Sequence, residues 1–158
     1  MLVGLLAAIA PPAARAQEAF AGSWRISKAD RAPWADAAAS SDVEARALTG
    51  KTVKILPNRI EGPKPLGCGK AKYQVKGYPP DMLFQGGLTA PDKQAAALGF
   101  KGASITTLET GCASEIDFHM VDADTVLFGL NDRVYTLTRS KAQQPPRSSS
   151  SPRVTNQR

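Results

Sequence analysis

Glu115-Ile116-Asp117-Phe118-His119-Met120, then Thr125-Val126-Leu127-Phe128-Gly129-Leu130, then Arg133-Val134-Tyr135-Thr136-Leu137-Thr138-Arg139 are the runs that decide the fold. The first alternates polar and apolar residues, the period-2 pattern of a strand with one buried face. It places Ile116, Phe118 and Met120 inside, and Asp117 and His119 outside toward solvent. The turn formers Asp122-Ala123-Asp124 and Asn131-Asp132 separate the runs. Three antiparallel strands in a meander follow.

Upstream, Lys51 to Leu56 and Arg59 to Glu61 flank Pro57-Asn58, a hairpin signal. Ala71 to Val75 and Ser104 to Leu108 have the β-branched and apolar content of further short strands. Helices interrupt this pattern twice. Ser41-Asp42-Val43-Glu44 is a capping box opening a helix from Asp42 to Leu48 that stops at Gly50. Thr89-Ala90-Pro91-Asp92 opens another, with Pro in the first turn and an acid at the positive end of the dipole, closing at Gly99. The expected fold is mainly β, an antiparallel barrel or roll of about seven or eight strands with two short helices. An α+β roll is the alternative.

Both ends of the chain differ from the middle. Leu2 to Ala10 is an apolar run of signal-sequence length, shorter than the roughly 20 residues of a membrane span. Pro11-Pro12 and the small-residue pattern Ala14-Arg15-Ala16 follow it, so residues 1–16 read as a secretory signal cut before Gln17. No cation precedes the apolar run, the one departure from the signal pattern. Residues 140–158 are rich in Ser, Pro, Gln and Arg and lack large apolar side chains, the composition of a disordered tail. The domain is then residues 17–139, enough for one core.

Charge is unevenly placed. The whole chain carries a formal +6, yet residues 17–139 hold fifteen cations and fourteen acids, while the tail has Lys141, Arg147, Arg153, Arg158 and no acid. A nearly neutral domain lacks the basic footprint of a nucleic-acid binder. The two cysteines, Cys68 and Cys112, form an even pair in an exported chain and are expected to join in a disulfide. Neither has a second thiol or a His at metal-ligand spacing.

The opening strand reads Gly22-Ser23-Trp24, and the closing strand ends at Arg139. This Gly-x-Trp with a terminal Arg is similar to the signature of the calycins, the small barrels that include lipocalins and avidins. The resemblance implies that Trp24 plugs one end of an antiparallel barrel with the Arg139 guanidinium packed on its indole, a cation–π contact. Gly67-Cys68 with Tyr73 also resembles small bacterial envelope domains of the heat-shock-lipoprotein type.

Chemical motifs are few. His119, the only histidine, lies two residues from Asp117. Such a pair can share a metal or orient a proton, but the plainer reading is the solvated side of an amphipathic strand. No Gly-x-Ser-x-Gly elbow and no phosphate-cradling glycine loop occurs, so a hydrolase triad and nucleotide binding are disfavoured. More informative is Gly77 to Leu88, where prolines and glycines accompany Tyr78, Met82, Leu83, Phe84 and Leu88. Either this segment folds back as a lid on the core or it offers apolar anchors to a ligand or partner. Trp34, in a loop after the first strand, is a further anchor, and the two loops would frame a mouth if they lie at one end.

These features point to an exported, non-enzymatic binding protein, periplasmic or secreted, that holds a small apolar ligand or an envelope protein through Trp34, Tyr78, Met82, Leu83 and Phe84. No cofactor, metal, nucleic acid or membrane span is expected. The alternative is an inhibitor of a secreted or periplasmic hydrolase. A metal-dependent enzyme centred on Asp117 and His119 comes last.

Overall fold

The computed structural model describes residues 12–36 and 42–141. The apolar run Leu2 to Ala10, the capping Ser41 and the tail beyond Lys141 lie outside the described residues. In chain order the elements are α1 (Pro12–Glu18), β1 (Gly22–Arg31), α2 (Asp42–Leu48), β2 (Thr52–Leu56), β3 (Arg59–Glu61) and β4 (Gln74–Tyr78). A 3-10 segment (Pro80–Gly86), α3 (Pro91–Ala97), β5 (Ile105–Glu109), β6 (Phe118–Asp122), β7 (Thr125–Leu130) and β8 (Arg133–Arg139) follow. The fold is mainly β. Eight antiparallel strands form one curled half-barrel sheet in the order β3-β2-β1-β8-β7-β6-β5-β4, an architecture compatible with a calycin-like barrel.

Alternation assigns one face of every strand to the interior. Trp24, Ile26, Val53, Ile55, Leu108, Phe118, Val126, Phe128, Tyr135 and Leu137 meet there, each at most 2% exposed. Phe128 stacks on Tyr135 with centroids 4.9 Å apart, and Phe118 meets Phe128 edge-on at 5.8 Å. These rings fill the interior with side chains. At one end Trp24 donates from Nε1 to the Phe20 carbonyl at 2.8 Å. Arg139, its register partner across β1 and β8, sets its guanidinium carbon 4.1 Å from the Trp24 ring centroid. The same guanidinium donates to the carbonyls of Ala19, Ala21 and Ala123, tying three chain segments together over the indole. At the other end α2 docks its acids on the β7–β8 turn, Asp42 to Arg133 and Glu44 to the Asn131 amide.

The edge strands β3 and β4 are joined by the stretch between them. Cys68 exchanges two backbone hydrogen bonds with Ile60, the Ala71 N–H donates to Asn58, and the Lys72 N–H donates to Thr110. A Cys68–Cys112 disulfide, 44 residues apart in sequence, fixes this strap to the chain just after β5.

Two expectations need correction. The strand drawn over residues 71–75 lies further on: β4 starts at Gln74 and includes Tyr78, while residues 71–73 belong to the strap. Gly77 sits inside this strand rather than opening a loop, and glycine suits the position because a Cβ there would come 2.3 Å from Ser104 Oγ just before β5. The second correction is larger. β6 begins only at Phe118, and His119 is 1% exposed instead of facing solvent, whereas Met120 is only half-buried.

The cause is a second apolar layer. Between β4 and β5 the chain crosses the outer face of the sheet, where Leu83, Phe84, Leu88, Ala95 and Phe100 pack on Ile105, Leu127 and Val134, with Ala32 and Trp34 from the β1 side. Burying side chains such as Leu83 and Phe84 contributes roughly 1.5–3 kcal/mol each. Period-2 reading presumes one wet face; here β5 to β8 are covered on both.

Candidate functional site

The covering segment anchors itself through an unusual backbone. Phe84 and Gln85 have φ of 51° and 58° and follow Leu83 in extended conformation, so the chain reverses sharply and inserts the Phe84 ring. Its backbone N–H donates to His119 Nε2 at 3.2 Å. That acceptor role leaves the ring proton on Nδ1, which donates to Thr107 Oγ1 at 2.9 Å; Thr107 in turn donates to the Ile105 carbonyl. With Phe84 at 4.7 Å and Phe100 at 6.4 Å around the ring, burial pushes the imidazole pKa down to about 3. His119 is a neutral pillar with both nitrogens engaged by protein. Among the described residues no three His, Cys, Asp or Glu side chains group in a metal-binding arrangement.

Trp34 completes the roof. Its ring centroid is 5.2 Å from that of Phe84, and its Nε1–H donates to the Asn131 carbonyl at 2.8 Å. Two glycines give it room: a Cβ on Gly87 would lie 3.0 Å, and one on Gly129 3.2 Å, from indole carbons. The indole is thereby fixed in position and orientation while staying half-exposed.

Beside this fixed ring opens a cleft of about 380 Å³, lined among others by Trp34, Phe84, Gln85, Glu115, Asp117 and Asn131. Gln85 Nε2 donates to the Glu115 carbonyl at 2.8 Å, tying the covering segment to the loop before β6. Asp117 stands half-buried in the lining with no hydrogen bond or ion pair among the described residues. Burial pushes its carboxyl up to about 6; repulsion from Glu109 adds to this, Lys76 pulls the other way, and Glu115 adds a smaller push. Lys76 is committed elsewhere, to Glu109 at 2.8 Å. Glu109 also accepts from the Tyr78 hydroxyl, a bond that raises the phenol pKa, while Lys76 first and Tyr78 second hold the Glu109 carboxyl below its ordinary range.

The non-glycine residues with left-handed φ among the described residues are Phe84, Gln85, Glu115 and Asn131, and all four line this cleft. At Phe84, Gln85 and Glu115 such a conformation costs on the order of 1 kcal/mol or more and persists only where the surroundings hold it, while Asn131 tolerates it in its turn. A wider hollow at the other end, bordered by Lys101, Asp122, Asp124 and Arg139, shows no such strain, and its Arg139 already serves Trp24.

The anchor residues read from sequence are thus split. Trp34 and Phe84 come together and face the cleft. Leu83 is fully buried, Tyr78 lies in β4 with its ring 6.1 Å from His119, and Met82 is 48% exposed; none of the three lines the cleft. Gln85, Glu115 and Asn131 were not singled out, and Asp117 drew notice only as a partner for His119. Asn131 carried a usable signal, since Asn in a two-residue turn tolerates left-handed φ; Phe84-Gln85 carried none.

Fold and site define a class: a small, disulfide-bonded, mainly β half-barrel with a strained, aromatic-walled cleft on its outer face. No family model, curated protein or solved structure matches the chain. Among the described residues no helix is long and apolar enough to cross a membrane.

Proposed function

We propose that this chain is an exported, non-enzymatic binding protein of the cell envelope, built on a calycin-like barrel, that holds a small ligand or the side chain of a partner protein in the cleft beside Trp34 and Phe84. The observation that carries this reading is the convergence of every left-handed non-glycine residue among those described on that one cleft. Strain maintained at one place, around a ring already locked in orientation, is the signature of a preorganised recognition site. Export is supported by the disulfide and by the Ala14-Arg15-Ala16 cleavage pattern. Side chains fill the barrel interior, so recognition moves from the lipocalin-type cavity to the outer face.

One observation favours the inhibitor alternative. Met82 stands 48% exposed immediately before the buried pair Leu83 and Phe84, an apolar side chain presented on a rigid turn, as a substrate-like loop requires.

The test is two-dimensional NMR of the full chain, titrated with fractionated envelope extract and a small-molecule library. The cleft reading expects ligands to shift the indole N–H signal of Trp34 and leave that of Trp24 unmoved. Ligands that bind but perturb only residues remote from the cleft overturn it. Co-incubation with periplasmic hydrolases, scored for Met82→Asp-sensitive inhibition, separates the inhibitor version.

A further inference from the structure

The cleft's charge is opposite to that of the chain. In a protein of formal charge +6, its lining holds two carboxylates, Glu115 and Asp117, and no Lys or Arg, and its one imidazole, His119, is neutral. The cation whose charge acts on Asp117, Lys76, is held by Glu109. A partly desolvated carboxylate without a counter-charge is an unfavourable arrangement that a bound cation would relieve.

The neighbouring wall restricts which cation. Trp34, backed by the buried Phe84, presents aromatic surface in a fixed pose, and a cation over such a face gains attraction from the ring quadrupole. An anion would meet two like charges. A wholly apolar ligand would bury Asp117 further with nothing to pair it. A compact hydrated ammonium could satisfy the carboxylate but would gain less from the indole than a planar, weakly hydrated group that stacks and forks at once. The volume of about 380 Å³ lies at the small end of the range for specific ligand sites.

Resting on the binding reading above, we infer that the cleft takes a guanidinium cation, stacked on Trp34 and paired with Asp117, either as a free small molecule or as an arginine side chain of a peptide. The two sources share one head group, and the experiment separates them.

The measurement is an NMR titration of the full chain with three probes: agmatine, a short capped peptide with one central arginine, and the same peptide with citrulline, which keeps the shape and loses the charge. Both guanidinium probes are expected to shift the Trp34 indole signal and the Asp117 amide, with the citrulline peptide inert. If the site is built for protein partners, the arginine peptide binds more tightly than agmatine; the reverse order assigns a free ligand. Asp117→Asn, which breaks no hydrogen bond in the protein, is expected to weaken binding about tenfold. Equal binding by the citrulline peptide, or unchanged affinity in Asp117→Asn, overturns the inference. Library compounds of neutral or negative charge that shift Trp34 while both guanidinium probes fail also overturn it, and leave the cleft reading standing. Silence at Trp34 with every compound overturns both.

Discussion

The backbone N–H of Phe84 donates to Nε2 of His119, so the single histidine of the chain pins the covering segment to the sheet through its unprotonated nitrogen. That bond exists only while the imidazole is neutral.

Acid sensitivity follows. The folded pKa of His119 is depressed to about 3 from an ordinary 6.5, so below pH 6.5 the unfolded chain takes up a proton that the native state refuses. The stability present above pH 6.5 is lost as pH falls, by roughly 2–3 kcal/mol down to pH 4.5. Urea denaturation of the Asp117→Asn chain at pH 7.5 and 4.5 should show this loss, which Asp117 offsets in part in the parent, and adding His119→Gln, which keeps an acceptor for Phe84, should flatten it.

Asp117 acts with the opposite sign. Its folded pKa is raised to about 6 from 3.8, so the native state binds the proton first and gains stability as pH falls from 6 toward 4. Asp117→Asn should therefore be more stable than the parent at pH 7.5 and lose stability more steeply on acidification, because the His119 effect then stands alone. An unchanged midpoint at pH 7.5 in the same denaturation series would contradict the assigned burial.

Arg139 contributes geometry as well as charge. Its guanidinium lies 4.1 Å over Trp24 and donates to three carbonyls, a fork that an ammonium cannot reproduce. Arg139→Lys should cost about 1–3 kcal/mol in chemical denaturation, close to the cost of Arg139→Met.

Gly129→Ala probes the roof. The added methyl would sit 3.1 Å from Phe84 Cδ1 and 3.2 Å from Trp34 Cη2, so one ring must give way. A loss of about 1–3 kcal/mol should accompany a shift of the Trp34 indole signal, with that of Trp24 unmoved.

Cleaving the disulfide releases the strap between β3 and β4. The loop between Cys68 and Cys112, with a separation of 44 residues, limits the unfolded chain by about 4 kcal/mol on the entropic account. The Cys68→Ala/Cys112→Ala variant should lose stability on that order, with amide exchange accelerated first at residue 68 and at Lys72.

The framework was legible because its signals are local. The meander from Phe118 to Arg139, the α2 span and the cysteine pair each follow from alternation, caps or parity within a short window. The covered outer face was not, because nothing in Asp117-Phe118-His119 announces that a segment more than thirty residues upstream will cover it. A buried histidine and a solvated one read alike in an alternating strand. The cleft was half legible: Trp34 and Phe84 stood out as apolar residues in irregular stretches, yet their meeting depends on left-handed φ at Phe84 and Gln85, one step before the glycine, Gly86, that would mark such a turn.

Tyr78 of β4 and Ile105 of β5 are register partners, which makes the whole stretch from residue 79 to residue 104 the loop of a single hairpin. The eight-strand order does not depend on what that loop contains. Strand pairing, disulfide and the Trp24 end draw nothing from it, whereas the outer apolar layer takes Leu83, Phe84, Leu88, Ala95 and Phe100 from it, and the cleft takes Phe84, Gln85 and Gly87. That one loop is where a change of sequence would reshape the cleft wall without touching the strands or the disulfide.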